Sequence, residues 1–358
     1  MLHMNIEYWL KLYLTKQLTP TDVLKLIQQY GNVRNVFTQN AKELSSFLNK
    51  NIGGQILHSW EDDTTYKNTM KWLMDQNNRH IITLDSSDYP ELLASIPIPP
   101  ILLFAEGNIN LLKNRIFAIV GTRNPTPQGI DNAIHFAKEI GNNGYTIVSG
   151  LAEGIDTAAH KGALETNYST IAVLGTGLNQ CYPSGNRMLQ DKIKASGLVI
   201  SPFLLNDGPL PFHFPNRNRI IVGLSKACLV IESRINGGSM ISANFAADIG
   251  REVFALPGSI HNINAQGCHK LIKQGAKLVE NIQDIFEELP MKQAVQKTYK
   301  LTEQQSLIMR TMSHEPISIE QICNKSNMQI SLVCDILLQL ELSELITNSI
   351  NGYYKKQS

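Results

Sequence analysis

No stretch of this 358-residue chain approaches the about 18 consecutive apolar residues that a membrane-spanning helix needs. The first residues lack a basic segment followed by an apolar core, the pattern of a secretory signal. Cysteine is sparse: Cys181, Cys228, Cys268, Cys323 and Cys334 form no CxxC pair and no zinc-type His/Cys spacing. That distribution suits reduced thiols in a cytoplasmic protein without a metal site. Charge of one sign is also lacking. Lys plus Arg number 32 and Asp plus Glu 31, a net charge of +1, which excludes a globally basic nucleic-acid coat and leaves only a local patch for anions. Two phosphate-loop signatures are missing. Gly175-Thr176-Gly177-Leu178-Asn179-Gln180 lacks the third glycine of GxGxxG, and no loop reads GxxxxGK[ST], so dinucleotide and P-loop enzymes are disfavoured. No Ser/His/Asp set, Cys/His set or carboxylate pair assembles, so no catalytic residue, metal or cofactor is expected.

What is present divides the chain into parts. Residues 1–78 read as short helices, with Thr19-Pro20 opening one and Gly31 and Gly53-Gly54 closing others. The hairpin position Gln17-Leu18-Thr19-Pro20 has no glycine, which disfavours a helix-hairpin-helix grip on DNA and favours a packing or partner-docking module. Asp85, Tyr89-Pro90 and residues 97–100 make an extended lead-in to Phe104 and Gly107. From Arg115, apolar runs at 116–120, 146–148, 171–174, 198–200, 228–231 and 253–256 alternate with helical patterns at about 127–142, 153–166, 185–195, 216–224 and 239–250. Strand–helix alternation predicts an α/β fold with a doubly wound parallel sheet over 79–289.

A row of glycines (Gly121, Gly150, Gly175, Gly177, Gly237, Gly238, Gly258) falls at the carboxyl ends of those strands, the edge on which open α/β sheets bind ligands. The row suggests an edge that some backbone approaches closely. Polar candidates there are Thr122, Arg123, Ser149, Asn186, Arg187, Arg217, Asn218, Arg219, Ser239 and Ser242. Ser239 and Asp156 are each most simply N-caps, with His160 four residues beyond Asp156 on the same helix face. The stretch Phe212-His213-Phe214-Pro215-Asn216-Arg217-Asn218-Arg219-Ile220-Ile221 puts two arginines and two asparagines on an expected first helical turn, where the macrodipole disfavours cations. That arrangement makes sense when something anionic docks there, with Phe212 and Phe214 offering faces to unpaired bases. A capped helix with surface ion pairs and both rings in the core fits the same residues equally well.

Val120-Gly121-Thr122-Arg123, Val148-Ser149-Gly150-Leu151-Ala152-Glu153-Gly154-Ile155-Asp156, residues 171–177 with Tyr182-Pro183, Phe214-Pro215-Asn216-Arg217-Asn218-Arg219, Gly250-Arg251-Glu252-Val253-Phe254-Ala255-Leu256-Pro257-Gly258 and the Gly267…Gly275-Ala276 run together resemble the DprA/Smf family, in order, over about residues 80–285. The resemblance implies an extended Rossmann-like domain that binds single-stranded DNA without catalysis. It implies delivery of that DNA to the RecA recombinase in natural transformation, and homodimerisation through the carboxyl-terminal part of the domain. The DNA-binding residues expected on the glycine-lined edge are Gly121, Thr122, Arg123, Ser149, Gly150, Asn186, Arg187, Phe214, Asn216, Arg217, Asn218, Arg219, Gly237, Gly238 and Ser239. Glu153 stands where the family usually has Arg, and Ser201-Pro202 where it usually has Ser-Glu.

Residues 290–300 read as a linker. Beyond them, 301–312, 317–323 and 329–340 form three helical patterns, followed by a tail with Gly352-Tyr353-Tyr354, a winged-helix arrangement over 301–358. Its third helix contains Asp335 and Glu341 and no Lys or Arg, which argues against major-groove reading and for a protein-interaction or regulatory role. The rival reading is a nucleotide phosphoribohydrolase of the LONELY GUY type, with its PGGxGTxxE motif. The nearest stretch, Asn236-Gly237-Gly238-Ser239-Met240-Ile241-Ser242-Ala243-Asn244, keeps the glycines but lacks the glutamate that does the acid–base work. A scaffold that only joins partners would leave the glycine row unexplained.

Overall fold

The computed structural model describes residues 2–58, 60, 63–289, 302–312, 317–342, 346–349 and 352–355. The chain divides into two compact units, Met1–Lys292 and Gln293–Ser358. The 290–300 linker expectation lies outside the described residues.

The first unit is built on nine strands: β1 (Arg79–Thr83), β2 (Leu102–Gly107), β3 (Arg115–Val120), β4 (Tyr145–Ser149), β5 (Thr170–Val173), β6 (Leu198–Ser201), β7 (Ala227–Val230), β8 (Glu252–Ala255) and β9 (Lys277–Leu278). Their order across the sheet is β1-β2-β6-β5-β4-β3-β7-β8-β9. The pairs from β6 through β9 are parallel, as the strand–helix alternation predicts. The pairs β1–β2 and β2–β6 are antiparallel, so the sheet is mixed; the extended lead-in expected at 85–100 is the connection between β1, the edge strand, and β2, and it includes one helical turn. The physical reason is the connection. Between β1 and β2 the only helix is the single turn Glu91–Ala94, too short to serve as the crossover helix that usually joins a parallel pair.

Along β3 the side chains alternate between two cores, as a strand covered on both faces must. Ile116, Ala118 and Val120 pack beneath Ile220, Ile221, Met240 and Leu271 of the helices His213–Leu224, Gly238–Asp248 and Gln266–Lys273. Phe117 and Ile119 pack against Phe136, Ile140, Ile155 and Ala159 of Pro127–Asn142 and Ile155–Ala163 on the other face.

The amino-terminal helices start where their caps dictate. Thr19 and Asp22 form a reciprocal capping box on Pro20–Tyr30: the Asp22 N–H donates to Thr19 Oγ1, and the Thr19 N–H to the Asp22 carboxylate. These helices share a core around Trp9, Leu26 and Leu44. They are also continuous with the sheet, since Leu10, Met70 and Trp72 pack with Phe104 and Val199, and the Tyr13 hydroxyl donates to the Pro202 carbonyl at 2.8 Å.

The second unit contains helices Glu303–Thr311, Ile319–Ser326 and Ile330–Leu342 and a two-stranded antiparallel wing, Ile346–Ser349 with Gly352–Lys355. Thr302 with Gln305 and Ser318 with Gln321 form capping boxes, which set both helix starts. Ile308, Ile322, Val333, Leu337 and Ile346 fill its core.

Candidate nucleic-acid interface

Beyond β3 the chain turns toward β4; after β6 it returns to β7 on β3's other side. Loops leaving β3 and β7 therefore diverge, opening the crevice in which α/β sheets bind ligands. A cavity of about 350 Å³ lies there, lined by Thr122, Arg123, Asn218, Ser233, Arg234 and the start of the helix Gly238–Asp248. That helix has Gly237 at its N-cap and no side-chain cap, so its first amides and the positive dipole end border the crevice. Ser239 is not the N-cap expected from sequence. It is the second helical residue, buried, and its hydroxyl donates to Ser233 Oγ at 2.8 Å. Ser233 and Arg234 escaped the sequence reading, because the apolar run through Ile231 gives no sign of how its loop folds back.

A second cavity, about 240 Å³, adjoins the first and is walled by Gly175, Tyr182, Phe214, Cys181 and Glu153. Arg123, Ala152 and Arg217 line both and form the partition. Arg123 is exposed, and its guanidinium carbon lies 5.6 Å from the centre of the Phe214 ring. Phe214 packs on Gly175 and tilts against Tyr182, with centroids 5.5 Å apart. Phe212, by contrast, is 62% exposed at the helix N-cap, edge-on to His213.

Arg217 is 4% exposed. Its Nη1 donates to the Val173 carbonyl at 3.2 Å and lies 4.0 Å from the Asp156 carboxylate, while its Nε has no partner. Burial pulls the guanidinium's pKa down and pushes the Asp156 carboxyl up, each partly offset by the other charge. Asp156 is not an N-cap either; Gly154 holds that position. The carboxylate instead turns back to accept from the Gly150 and Ala152 N–H groups, fixing the loop after β4. His160 is fully buried. It accepts from the Leu151 N–H at Nε2, so Nδ1 carries the proton and donates to Thr170 Oγ1 at 2.7 Å. Burial, with Arg217 second, pushes its pKa down to about 3.

The helix carrying the two arginines begins at His213, three residues before the expected start. Pro215 occupies its third position, where a backbone N–H has no intrahelical partner to lose. Asn216, Arg217, Asn218 and Arg219 consequently lie in the helix body and diverge by about 100° per residue. Arg217 and Asn218 reach the crevice. Asn216 and Arg219 face a different groove of about 400 Å³, with Tyr13, Pro20 and Ile98, and Arg219 sits 4.6 Å over the Phe245 ring.

Three further expected site residues serve the scaffold. Ser149 is fully buried and donates to the Ile119 carbonyl at 2.7 Å. Asn186 donates to the Leu151 carbonyl and Thr157 Oγ1, both at 2.9 Å. A Cβ on Gly150 would fall 1.4 Å from Arg217 Nη1. Much of the glycine row has this cause rather than an approaching ligand: Gly121 makes room for Ile155, Gly175 for Phe214 and Gly177 for the backbone of Leu204 and Leu205. Gly238 faces open space. Thr122 donates its N–H to the Glu232 carbonyl, and the Glu232 carboxylate accepts from the N–H and hydroxyl of Thr126 at the start of Pro127–Asn142. Arg187 is exposed at the start of Arg187–Ser196 and borders neither cavity. Among the described residues, no cluster of three His, Cys, Asp or Glu side chains is placed to hold a metal, and no helix is long and apolar enough to cross a membrane.

The sequence pattern of the family described as DNA recombination-mediator protein A matches residues 80–290, and that of the DprA winged helix domain matches 292–349. The chain is 33% identical to protein Smf of Escherichia coli across 98% of its own length and 96% of the relative's. It is 47% identical to DNA processing protein DprA of Streptococcus pneumoniae across 56% of its length and 71% of that protein. The crystal structure of that S. pneumoniae protein superposes with a TM-score of 0.71 at 36% identity, covering 79% of this chain and 97% of the other. DNA processing protein A from Helicobacter pylori, solved for its single-stranded DNA binding mode, superposes with a TM-score of 0.53 at 31% identity, covering 58% and 94%. The chain belongs to the DNA recombination-mediator protein A family.

Proposed function

We propose that this protein binds single-stranded DNA without sequence specificity and without catalysis, and hands it to RecA. One observation carries the reading: an arginine- and amide-lined crevice meets an aromatic-walled cavity across the partition of Arg123 and Arg217. A phosphodiester needs cationic donors and helix-start amides. An unpaired base needs a flat face, which Phe214 and Tyr182 supply. The Helicobacter pylori relative's single-stranded DNA binding mode supports the ligand class. Within the expected set, Thr122, Arg123, Asn218, Gly237, Gly238 and the Ser239 amide meet the backbone, and Phe214 meets a base. Arg217 supplies charge from below, while Ser149, Gly150 and Asn186 hold the loops. Arg187, Asn216 and Arg219 form flanking contacts for longer strands.

The phosphoribohydrolase alternative is less well supported. The helix position that would carry its acid–base glutamate holds Asn244. Asp156, which lines the crevice, is occupied by two backbone amides and Arg217. The division into an amino-terminal helical module, residues 79–289 and a winged helix at 301–358, a cytoplasmic location, and homodimerisation through the end of the sheet domain complete the proposal.

The test is fluorescence anisotropy with labelled oligo-dT and a duplex of equal length across a salt series. Single-strand preference with a steep salt slope is expected. Loss of one charge-assisted phosphate contact costs about 1.5–3 kcal/mol, so Arg123→Ala should weaken binding about tenfold or more. Equal binding of parent and Arg123→Ala at physiological salt would discard this surface.

A further inference from the structure

We infer that Glu153 makes the aromatic-walled cavity a guanine-preferring base site within an otherwise sequence-tolerant DNA track, an inference that rests on the single-strand reading above. At about 240 Å³ the cavity falls below the ~300–1,000 Å³ of pockets for drug-sized ligands and is of a size for one base. Phe214 and Tyr182 give its flat walls. Its ionisable groups are of both signs. Arg123 and Arg217 bring donors, and Glu153 brings a carboxylate. Glu153 is exposed and, among the described residues, holds no ion pair or hydrogen bond with the protein.

A carboxylate beside a phosphate path repels the backbone and favours a hydrogen-bond donor beside it. An ionised carboxylate only accepts hydrogen bonds, whereas a guanidinium only donates them. Guanine matches that pair: N1–H and the 2-amino group face the carboxylate, while O6 and N7 accept from arginine. Thymine presents a single N–H between two carbonyls, which the carboxylate repels. Adenine and cytosine each offer one amino group and stand between these limits. Stacking on Phe214 does not discriminate, because every base has a face; selection therefore falls to the polar rim.

The experiment compares three single strands of equal length in lithium buffer: all thymine, alternating thymine–guanine, and alternating thymine–inosine. Inosine removes the 2-amino group alone. The parent should bind the guanine strand about tenfold tighter than the thymine strand, the scale of one bidentate base contact, with most of the gain lost on inosine. Glu153→Gln should bring guanine and thymine strands within roughly twofold of each other. Equal binding of these strands by the parent overturns the inference and leaves the single-strand reading standing. Full guanine preference retained in Glu153→Gln, or equal gain from inosine, also overturns it. Failure to bind any strand removes the reading beneath it.

Discussion

A single proton on His160 ties the buried network to pH. The unfolded imidazole protonates near pH 6.5, whereas the folded one resists until about 3, so the unfolded state binds more protons as pH falls between those values. Stability is therefore present above the unfolded value and drains away below it, by about 2 kcal/mol between pH 7 and 5. Asp156 acts with the opposite sign. Its carboxyl pKa is raised in the fold, so falling pH protonates the native state first and adds stability as the ordinary carboxylate range is approached. Thermal melts at pH 7 and 5 separate the two: His160→Gln should lose less melting temperature on acidification than the parent, because only the histidine contribution is gone. None of this was legible in the sequence. Gly154-Ile155-Asp156-Thr157 looks like a capped helix start, and only the fold shows the carboxylate turned back to Gly150 and Ala152, with His160 locked to Leu151.

At the scale of elements, the parallel strands and their helices were readable because a strand covered on both faces must be continuously apolar, as Ile116-Phe117-Ala118-Ile119-Val120 is. The helix expected at about 127–142 spans Pro127–Asn142. Pro215 misled, because a proline suits the third helical position as well as the first, and tertiary packing of His213 decided the start. That shift moved Asn216 and Arg219 off the crevice. The antiparallel strands β1 and β2 were missed because Arg79-His80-Ile81-Ile82-Thr83 is short and half polar, and Leu102–Gly107 follows it with only one helical turn between. The strand-end glycines give a prediction at this scale. Gly150→Ala forces the Arg217 guanidinium from its place below Val173. Such overpacking costs about 1–3 kcal/mol, so differential scanning should record a melting temperature several degrees lower, with weaker oligo-dT binding as the partition shifts.

For the whole molecule, DNA affinity should reside in the first compact unit. The helix Ile330–Leu342 of the second presents Asp335 beside exposed Ile330 and Leu338 and offers no cation to phosphate. Removing residues 293–358 should therefore leave oligo-dT affinity at physiological salt within about threefold of the full chain and the salt slope unchanged, by the same anisotropy measurement. The winged arrangement itself was legible from helix spacing and the tail glycine. The continuity of the amino-terminal helices with the sheet was not, since Leu10, Met70 and Trp72 meet Phe104 only through the unrecognised β2. One feature of the sheet's edge reaches beyond this chain. Gly121, Gly150 and Gly175 are each filled by a neighbour's side chain, as wards of a lock fit their key. Those glycines are requirements of the scaffold. A descendant that exchanged its cargo entirely would keep all three, and the motif that marks the fold would persist after the ligand had changed.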